Sequence, residues 1–335
     1  MLNKTRDTEL VYRLSIVTPI FNDWQSFTYL VQAIDNLAKT LDLNVSIIAV
    51  NDGSIELTPT PEVLLPDLKY LQKIEILNLV CNLGHQRAIA VGLCEAFHQE
   101  DSDAVIVMDC DGEDRPQDIG KLLKASFAHP NQIVVAQRGK RSEVASFRLS
   151  YILYKTLFLV LTGKVIDFGN FCLIPRSLLS RMVFMPDIWN NLAATIMLSK
   201  TPIYRVRINR GDRYAGKSKM NMVSLIIHGL SAISVYSDVV FVRVIITFTV
   251  LSVLLASGIG LVVILRLFTN LAIPGWASYV TGLLSVLLLQ TLLLAAGAAF
   301  SLLNRRSALS VVPALDARRY VRERVVVFNH ERSSV

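Results

Sequence analysis

Cysteine is scarce in this chain, and its spacing does not suggest metal or disulfide chemistry. The 335 residues contain four cysteines, and no two of them form a C-x-x-C pair. They are Cys81, Cys94, Cys110 and Cys172. Scattered cysteines in a chain of this length are typical of reduced core thiols rather than of a disulfide framework or a zinc site. We therefore expect the domain that carries them to lie in a reducing compartment.

Three further absences narrow the function. The N-terminal stretch MLNKTRDTELVYRLS is too polar for a signal peptide. No stripe of lysine and arginine with interleaved aromatic residues is present, so nucleic acid is not an expected partner although the net charge is +7. No G-x-G-x-x-G follows the first predicted strand, which argues against a nicotinamide-dependent oxidoreductase. The basic excess fits an anionic membrane face or a phosphorylated substrate.

The first 138 residues alternate between apolar strand-like runs and helical patterns. Strands are predicted at 13–20, 45–52, 74–80, 103–111 and 133–138. Helices are predicted at Trp24–Leu41, His85–His98 and Gln117–Ala128. Short apolar runs that are separated by helices are typical of a mostly parallel sheet buried on both faces. The front of the chain is therefore predicted to be an α/β domain.

Hydrophobic residues make up 52% of the chain and are concentrated after about residue 240. Val244–Leu265 carries no charge, and Tyr279–Leu303 has Gln290 as its one strongly polar residue. At about 1.5 Å per residue, the first run spans about 33 Å, which exceeds a hydrocarbon core of about 30 Å. Two transmembrane helices are therefore predicted.

The distribution of arginine predicts the topology of these helices. Six arginines follow Leu303 within 21 residues, whereas the connector between the two runs carries Arg266 as its sole charge. The positive-inside rule places the tail and the front domain in the cytoplasm, and two spans suit a bacterial inner membrane. The predicted organisation is a front domain at 1–217, an amphipathic juxtamembrane helix at 218–240, the two spans within 241–304, and a basic tail at 305–335.

Acidic residues follow two of the predicted strands. Asp52 comes after VSIIAV, and Asp109 and Asp111 come after AVIVM. In parallel α/β sheets, ligands bind at the carboxyl ends of the strands. Carboxylates that repel one another are tolerated there when a divalent cation lies between them, and Mg²⁺ or Mn²⁺ prefers oxygen ligands together with substrate phosphates. The pattern favours a metal site that also binds a nucleotide diphosphate over a solvated acidic turn.

A set of motifs then resembles glycosyltransferase family 2, in the branch that makes polyprenyl-phosphate sugars. In chain order they are SIVTPIFND, IIAVNDGS, NLGHQRAIAVGL, MDCDGEDRPQDI, RGKRSE and RYAGKSKMNMVSL. The resemblance covers nearly the whole chain and implies a GT-A-type fold with two membrane helices. It also implies an enzyme that transfers one sugar, with inversion, from a UDP- or GDP-linked donor to a polyprenyl phosphate at the cytoplasmic membrane face. Undecaprenyl phosphate is the expected acceptor, Mg²⁺ or Mn²⁺ the expected cofactor, and self-association is left open.

The resemblance also assigns roles to individual residues. Donor binding is carried onto Pro19, Phe21, Asp23, Asp52, Asp109, Arg213 and Lys219. Metal binding is carried onto Asp109, Asp111 and Glu113. Contact with the acceptor phosphate is carried onto Arg138, Arg141 and Arg148. Asp111, Arg138 and Arg148 are the residues expected to act in catalysis.

Departures from the family pattern limit these expectations and leave two alternatives. Asn170 stands where relatives usually carry an acid, so a general base in that loop is in doubt, and the absence of R-W argues against a processive polysaccharide synthase. One alternative is a transferase that acts on a lipid hydroxyl or a lipid-linked glycan, for which Asp167 is the nearby base. The other is a non-catalytic membrane scaffold, against which Asp52, Asp109 and Asp111 argue.

Overall fold

A computed structural model describes residues 12–56, 58–59, 68–138, 155–215, 222–269, 273, 275–308 and 310–330. These residues form two compact units. The sheet unit comprises the described residues within 1–145, 166–235 and 311–335, and the helical unit comprises those within 146–165 and 236–310. Three predicted site residues, Arg141, Arg148 and Lys219, lie outside the described residues.

The sheet unit is built on an eight-stranded mixed sheet with the strand order β7-β5-β6-β4-β1-β2-β3-β8. The strands are β1 Arg13–Ile20, β2 Asn44–Asn51, β3 Leu71–Leu79, β4 Ala104–Val107, β5 Ile133–Arg138, β6 Cys172–Pro175, β7 Ile203–Ile208 and β8 Val321–Asn329. β1 pairs in parallel with β2 and β4, β2 with β3, and β5 with β7. β6 and β8 are antiparallel to their neighbours.

Helices cover both faces of the sheet because side chains alternate along each strand. Ile16 packs in the core with Phe27 of the helix at Trp24–Leu41, and the adjacent Val17 packs on the opposite face with Ile89 of the helix at His85–Gln99. The helices of this unit are α1 Trp24–Leu41, α2 His85–Gln99, α3 Ile119–Ala128, α4 Arg176–Val183, α5 Leu192–Leu198 and α6 Met222–Ser234. Such near-continuous apolar strands require cover on both faces, as the sequence predicted.

The fold class is confirmed: a mostly parallel sheet with flanking helices is followed by two apolar helices. α1 has the predicted bounds, and α2 ends one residue beyond the predicted end. The sequence analysis missed β6, β7 and β8 because it assigned no strand beyond residue 138. Most notably, residues 321–329, within the segment described as a basic tail, form a strand of the same sheet as β1.

The helical unit contains α7 Ser237–Phe268 and α8 Trp276–Ser307, both long and apolar enough to cross a membrane. Only 6% and 11% of their most apolar windows are buried within the protein. A helix in a soluble core would be mostly buried, so these two helices need another apolar environment. Where they pack together, Ser252 and Thr291 form a buried hydroxyl–hydroxyl hydrogen bond of 2.8 Å. A short helix, α9 Pro313–Asp316, precedes β8 in the sheet unit.

Candidate active site

The candidate functional side chains lie at the carboxyl ends of the parallel strands. Because β1, β2, β3, β4, β5 and β7 run in the same direction, the loops that follow them meet at their carboxyl ends. Asp52 follows β2, Asp109 follows β4, and Arg213 follows β7, while Arg138 is the last residue of β5. The fold therefore places residues that are widely separated in the sequence at the same end of the sheet.

A cleft of about 180 Å³ opens at the ends of β1, β2 and β3. It is lined by Pro19, Ile20, Phe21, Asp52, Asn82, Gly84 and His85. Phe21 is 40% exposed and presents an aromatic surface. The predicted donor residues Pro19, Phe21 and Asp52 thus share one cleft, whereas Asp23 lies at the start of α1 and contacts Arg213.

Asp52 shapes the loop that forms this cleft. Its two carboxylate oxygens accept hydrogen bonds from the backbone N–H groups of Leu83 and Gly84, at 2.7 and 3.0 Å. The residue is 3% exposed. Burial raises the pKa of Asp52, and the two backbone hydrogen bonds partly oppose that rise. The structure thus gives Asp52 a role in holding the start of α2, and its contact with the donor stays a prediction.

Each acid of the loop after β4 has its own partner within the protein. Arg213 Nη1 lies 2.8 Å from Asp111 Oδ2, and Arg210 forms an ion pair with Glu113. His85 Nε2 lies 3.3 Å from Asp109 Oδ1. Asp114 Oδ2 accepts a hydrogen bond of 3.1 Å from the backbone N–H of Asp109. Arg210 was not predicted from the sequence, because its partner becomes visible only when β7 is placed beside the other strands.

The loop after β7 is held against this acidic loop by backbone contacts as well as by charge. The N–H of Gly211 donates to the carbonyl of Glu113 at 2.9 Å, and the N–H of Tyr214 donates to the carbonyl of Asp111 at 2.8 Å. Gly112, with φ of 92°, has no room for a side chain: a Cβ atom there would lie 2.8 Å from the carbonyl oxygen of Asp212. The two loops therefore approach at backbone distance, which requires glycine.

His85 connects the acidic loop with the loop that carries Asn170. Nδ2 of Asn170 lies 3.1 Å from His85 Nε2, and Asn170 Oδ1 accepts a hydrogen bond of 3.1 Å from Gln86. Burial disfavours the charged imidazole, but the nearby carboxylates, chiefly Asp109, outweigh it and raise the pKa of His85. His85 is the first residue of α2, as the sequence indicated, and it also contacts a predicted metal ligand.

Asp167, the base suggested for an acceptor hydroxyl, is engaged by two neighbours. Its Oδ2 accepts a hydrogen bond of 2.7 Å from Gln137, and Arg205 Nε lies 3.1 Å from the same oxygen. These contacts occupy the carboxylate, so an acceptor hydroxyl would have to displace Gln137 or Arg205 in order to reach it.

The carboxylate oxygens at the carboxyl ends of the strands fit a divalent cation that is held jointly by protein and substrate. Among the described residues, no group of three His, Cys, Asp or Glu side chains is close enough to hold a metal ion. The expected set of Asp109, Asp111 and Glu113 is therefore not assembled, since Glu113 turns to Arg210. Mg²⁺ is usually held by one or two carboxylates together with substrate phosphates and water. Asp109 and Asp111 fit that arrangement, and metal binding by them stays a prediction.

Sequence comparisons agree with this geometry. The family model described as glycosyl transferase family 2 matches residues 15–182. The chain is 24% identical over 277 residues to the uncharacterized glycosyltransferase YkcC of Bacillus subtilis, covering 79% of this chain and 81% of that protein.

Two relatives have names that state an acceptor. The chain is 22% identical to the undecaprenyl-phosphate 4-deoxy-4-formamido-L-arabinose transferase of Proteus mirabilis, over 65% of this chain and 66% of that protein. It is 26% identical to the prophage bactoprenol glucosyl transferase homolog of Escherichia coli, over 67% and 73%. The family match covers half of the chain and includes the cleft and the acidic loop, so this protein is an enzyme of glycosyl transferase family 2 with a GT-A-type fold.

Proposed function

We propose that this enzyme transfers one sugar from a nucleotide-sugar donor to a polyprenyl phosphate, with undecaprenyl phosphate as the expected acceptor. The observation that carries the proposal is that Asp109, Asp111 and Arg138 all lie at or just beyond the carboxyl ends of parallel strands of one sheet, in a chain that also contains two apolar helices. The two relatives that are named for undecaprenyl phosphate and bactoprenol support the acceptor class.

The proposed donor site combines the cleft and the acidic loop. The nucleoside would lie in the cleft of Pro19, Phe21 and Asp52, and the diphosphate would extend toward Asp109 and Asp111. Mg²⁺ or Mn²⁺ held by those two carboxylates would supply charge neutralisation for the leaving diphosphate. Arg213 would add a guanidinium to the same diphosphate, and Lys219 is assigned to the donor through the family resemblance.

The proposed acceptor site begins at Arg138. A guanidinium can bind a phosphate through two parallel hydrogen bonds, which fixes both position and orientation. Arg141 and Arg148, assigned through the family resemblance, would contact the same phosphate. An exposed apolar face on α6, with Ile226, Ile227 and Leu230 each more than half exposed, suits a helix that lies at a membrane surface where the lipid is presented.

The proposed reaction is a single displacement. An oxygen of the acceptor phosphate attacks the anomeric carbon of the sugar, the bond from that carbon to the donor diphosphate breaks, and the nucleoside diphosphate leaves with the electron pair. Attack opposite to the leaving group inverts the configuration at that carbon. The acceptor phosphate is anionic near neutral pH, so this step needs no general base. The engagement of Asp167 by Gln137 and Arg205 supports a phosphate acceptor over a hydroxyl acceptor.

The decisive experiment compares two lipids that differ only in the phosphate. Purified full-length protein in detergent is incubated with Mg²⁺, a panel of UDP- and GDP-sugars, and either polyprenyl phosphate or the matching polyprenol. We expect one donor to yield a lipid-linked monosaccharide with the phosphate lipid only, as detected by mass spectrometry. EDTA should abolish transfer, and added Mg²⁺ or Mn²⁺ should restore it. Transfer to the polyprenol, or to neither lipid with any donor, would contradict the proposed acceptor.

A further inference from the structure

We propose that Arg210 and Arg213 act as internal counter-ions for the acidic loop, and that they exchange places with the cation when the donor binds. This inference rests on the proposed function, since it concerns the same donor site. It assigns Arg210 a role that neither the motifs nor the relatives indicated. It also gives a reason why several carboxylates can stay close together in one loop.

Two carboxylates of the acidic loop are paired with arginines of the loop after β7. Asp111 and Glu113 each have a side chain about 15% exposed, so water screens their repulsion only partly. Arg213 and Arg210 neutralise them one to one. Arg213 Nη2 also lies 3.5 Å from Asp23 Oδ2, so a single guanidinium links the acidic loop to the start of α1. Asp111 and Glu113 are therefore each paired with an arginine of the protein, and Arg213 is shared between Asp111 and Asp23.

Arg210 and Arg213 lie on the loop after β7, and the backbone of that loop is hydrogen-bonded to the acidic loop. The hydrogen bonds from Gly211 to Glu113 and from Tyr214 to Asp111 set the register of the two loops. The ring of Tyr214 also contacts Tyr29 of α1, with centroids 6.0 Å apart. The two guanidinium groups can thus change partner by side-chain rotation while the backbone stays in place.

The side chain of Arg213 also carries an N–H group that is available for a hydrogen bond to a ligand. Among the residues that the structure describes, the buried Nε–H of Arg213 meets no hydrogen-bond acceptor. A buried donor without an acceptor is costly, and a phosphate oxygen would satisfy it. Arg213 can therefore offer this N–H to a phosphate oxygen of the donor diphosphate.

The consequence is that cation and nucleotide bind as a coupled pair. A cation alone has to displace a guanidinium from Asp111, whereas a cation that arrives with a diphosphate gives the released guanidinium new acceptor oxygens. Each ligand therefore raises the affinity for the other by the same factor, as linkage requires. Removing the guanidinium should relieve the competition with the cation and also remove most of the coupling.

The test measures Mn²⁺ binding rather than activity, by electron paramagnetic resonance of unbound Mn²⁺ with full-length protein in detergent. Titrations are made without nucleotide and with saturating UDP, with GDP in a parallel series. We expect Arg213→Gln and Arg210→Gln to bind Mn²⁺ alone about threefold to tenfold more tightly than the wild type, because a partly exposed ion pair no longer competes. The enhancement by nucleotide should shrink in Arg213→Gln.

Two controls separate the possible failures. Arg13→Gln removes an arginine that pairs with Asp103 at 3.2 Å at the opposite end of β1, and it should leave both affinities unchanged. Asp111→Asn should abolish the specific Mn²⁺ site. If Asp111→Asn abolishes binding but neither arginine variant tightens it, the exchange is wrong while the metal site stands. If Mn²⁺ binds to no form of the protein, both the exchange and the proposed metal site fail. If Arg213→Gln tightens Mn²⁺ binding while polyprenyl phosphate accepts no sugar, the exchange stands and the proposed acceptor fails.

Discussion

At the residue scale, the site is a set of charges that the fold has already paired. Asp111, Glu113 and Asp109 face Arg213, Arg210 and His85 respectively. A substrate that binds these carboxylates would therefore replace existing pairs rather than simply add to them. Arg138 differs from these residues. It is the last residue of β5, outside the acidic loop, and its proposed partner is the acceptor phosphate.

Substitution of Arg138 by lysine tests that assignment. Lysine keeps the charge but cannot reproduce a planar, two-pronged contact with phosphate. We expect Arg138→Lys to lower the transfer rate at subsaturating polyprenyl phosphate by about tenfold to a hundredfold, the effect of losing a charged hydrogen bond worth about 1.5–3 kcal/mol. Donor affinity, measured by calorimetry, should stay within about twofold, since a residue that contacts only the acceptor contributes no binding energy to the donor.

Arg13→Lys is the matched control, because Arg13 lies at the amino end of β1 and pairs with Asp103. Its transfer rate should equal that of the wild type. A weakened donor affinity in Arg138→Lys, with an unchanged dependence on polyprenyl phosphate, would assign Arg138 to the donor diphosphate instead.

At the element scale, strand β8 completes the sheet unit from beyond the apolar helices. It pairs antiparallel with β3 and takes the place of β3 as the edge strand of the sheet. Arg324 of β8 reaches two buried carboxylates, with Nε 2.9 Å from Glu75 Oε1 and an ion pair to Glu95. Glu75 and Glu95 are 1% and 4% exposed, so Arg324 brings a guanidinium to two carboxylates that water barely reaches. The C-terminal segment is thus part of the catalytic domain's fold.

Replacing Arg324 by methionine should destabilise the protein. The change leaves two buried carboxylates without their shared guanidinium, and losing one partner of a buried pair costs about 3–5 kcal/mol. We expect about 2–4 kcal/mol, because Arg324 is 43% exposed and Lys73 still lies 3.2 Å from Glu75. The free energy of unfolding, from urea denaturation followed by the fluorescence of the sheet unit's tryptophans, gives the value.

Arg322→Met is the control for that measurement, since Arg322 is exposed and lies two positions earlier on the same strand. It should change stability by less than about 0.5 kcal/mol. Equal effects of the two substitutions would show that strand propensity or net charge, rather than the buried carboxylates, sets the contribution of β8.

At the scale of the whole molecule, the sheet constrains the proposed topology. β1 precedes the two apolar helices and β8 follows them, yet both strands belong to one sheet. A single hydrogen-bonded sheet lies on one side of a membrane, so if α7 and α8 both span it, their outer ends face the same side. This argument is independent of the arginines that predict a cytoplasmic location for both ends.

Cysteine labelling in intact cells tests the topology. Cys81 is exposed, whereas Cys94, Cys110 and Cys172 are buried, and burial raises the pKa of the Cys94 thiol to about 12. In one protein Cys81 is the only cysteine, and in the other all four are replaced and Ser278 becomes cysteine. Ser278 is exposed near the start of α8, beside the connector. We expect an impermeant thiol reagent to label Ser278→Cys in intact cells and to label Cys81 only after permeabilisation, because the membrane separates the two sites. The reverse pattern would invert the topology.

Much of the front of the sheet could be predicted from local sequence patterns. Runs such as SIVTPI and AVIVM are apolar, β-branched and short, so they could be assigned to buried strands without knowing their neighbours. The carboxyl ends of those strands then predicted where Asp52, Asp109 and Asp111 would lie. The two apolar helices followed from length and composition, which depend on the chain alone.

The partners of these acids depend instead on contacts between distant parts of the chain. Arg213 is 102 residues from Asp111, and nothing in the local pattern around either residue specifies that contact. The same holds for Arg324, which contacts Glu75 and Glu95 although it follows the two long helices in the chain. β8 itself escaped prediction because its sequence is basic and only partly buried, so it resembles a charged tail until β3 offers it an edge to pair with. Side-chain pairing across such distances is set by strand order and register, which one stretch of sequence does not encode separately from the rest.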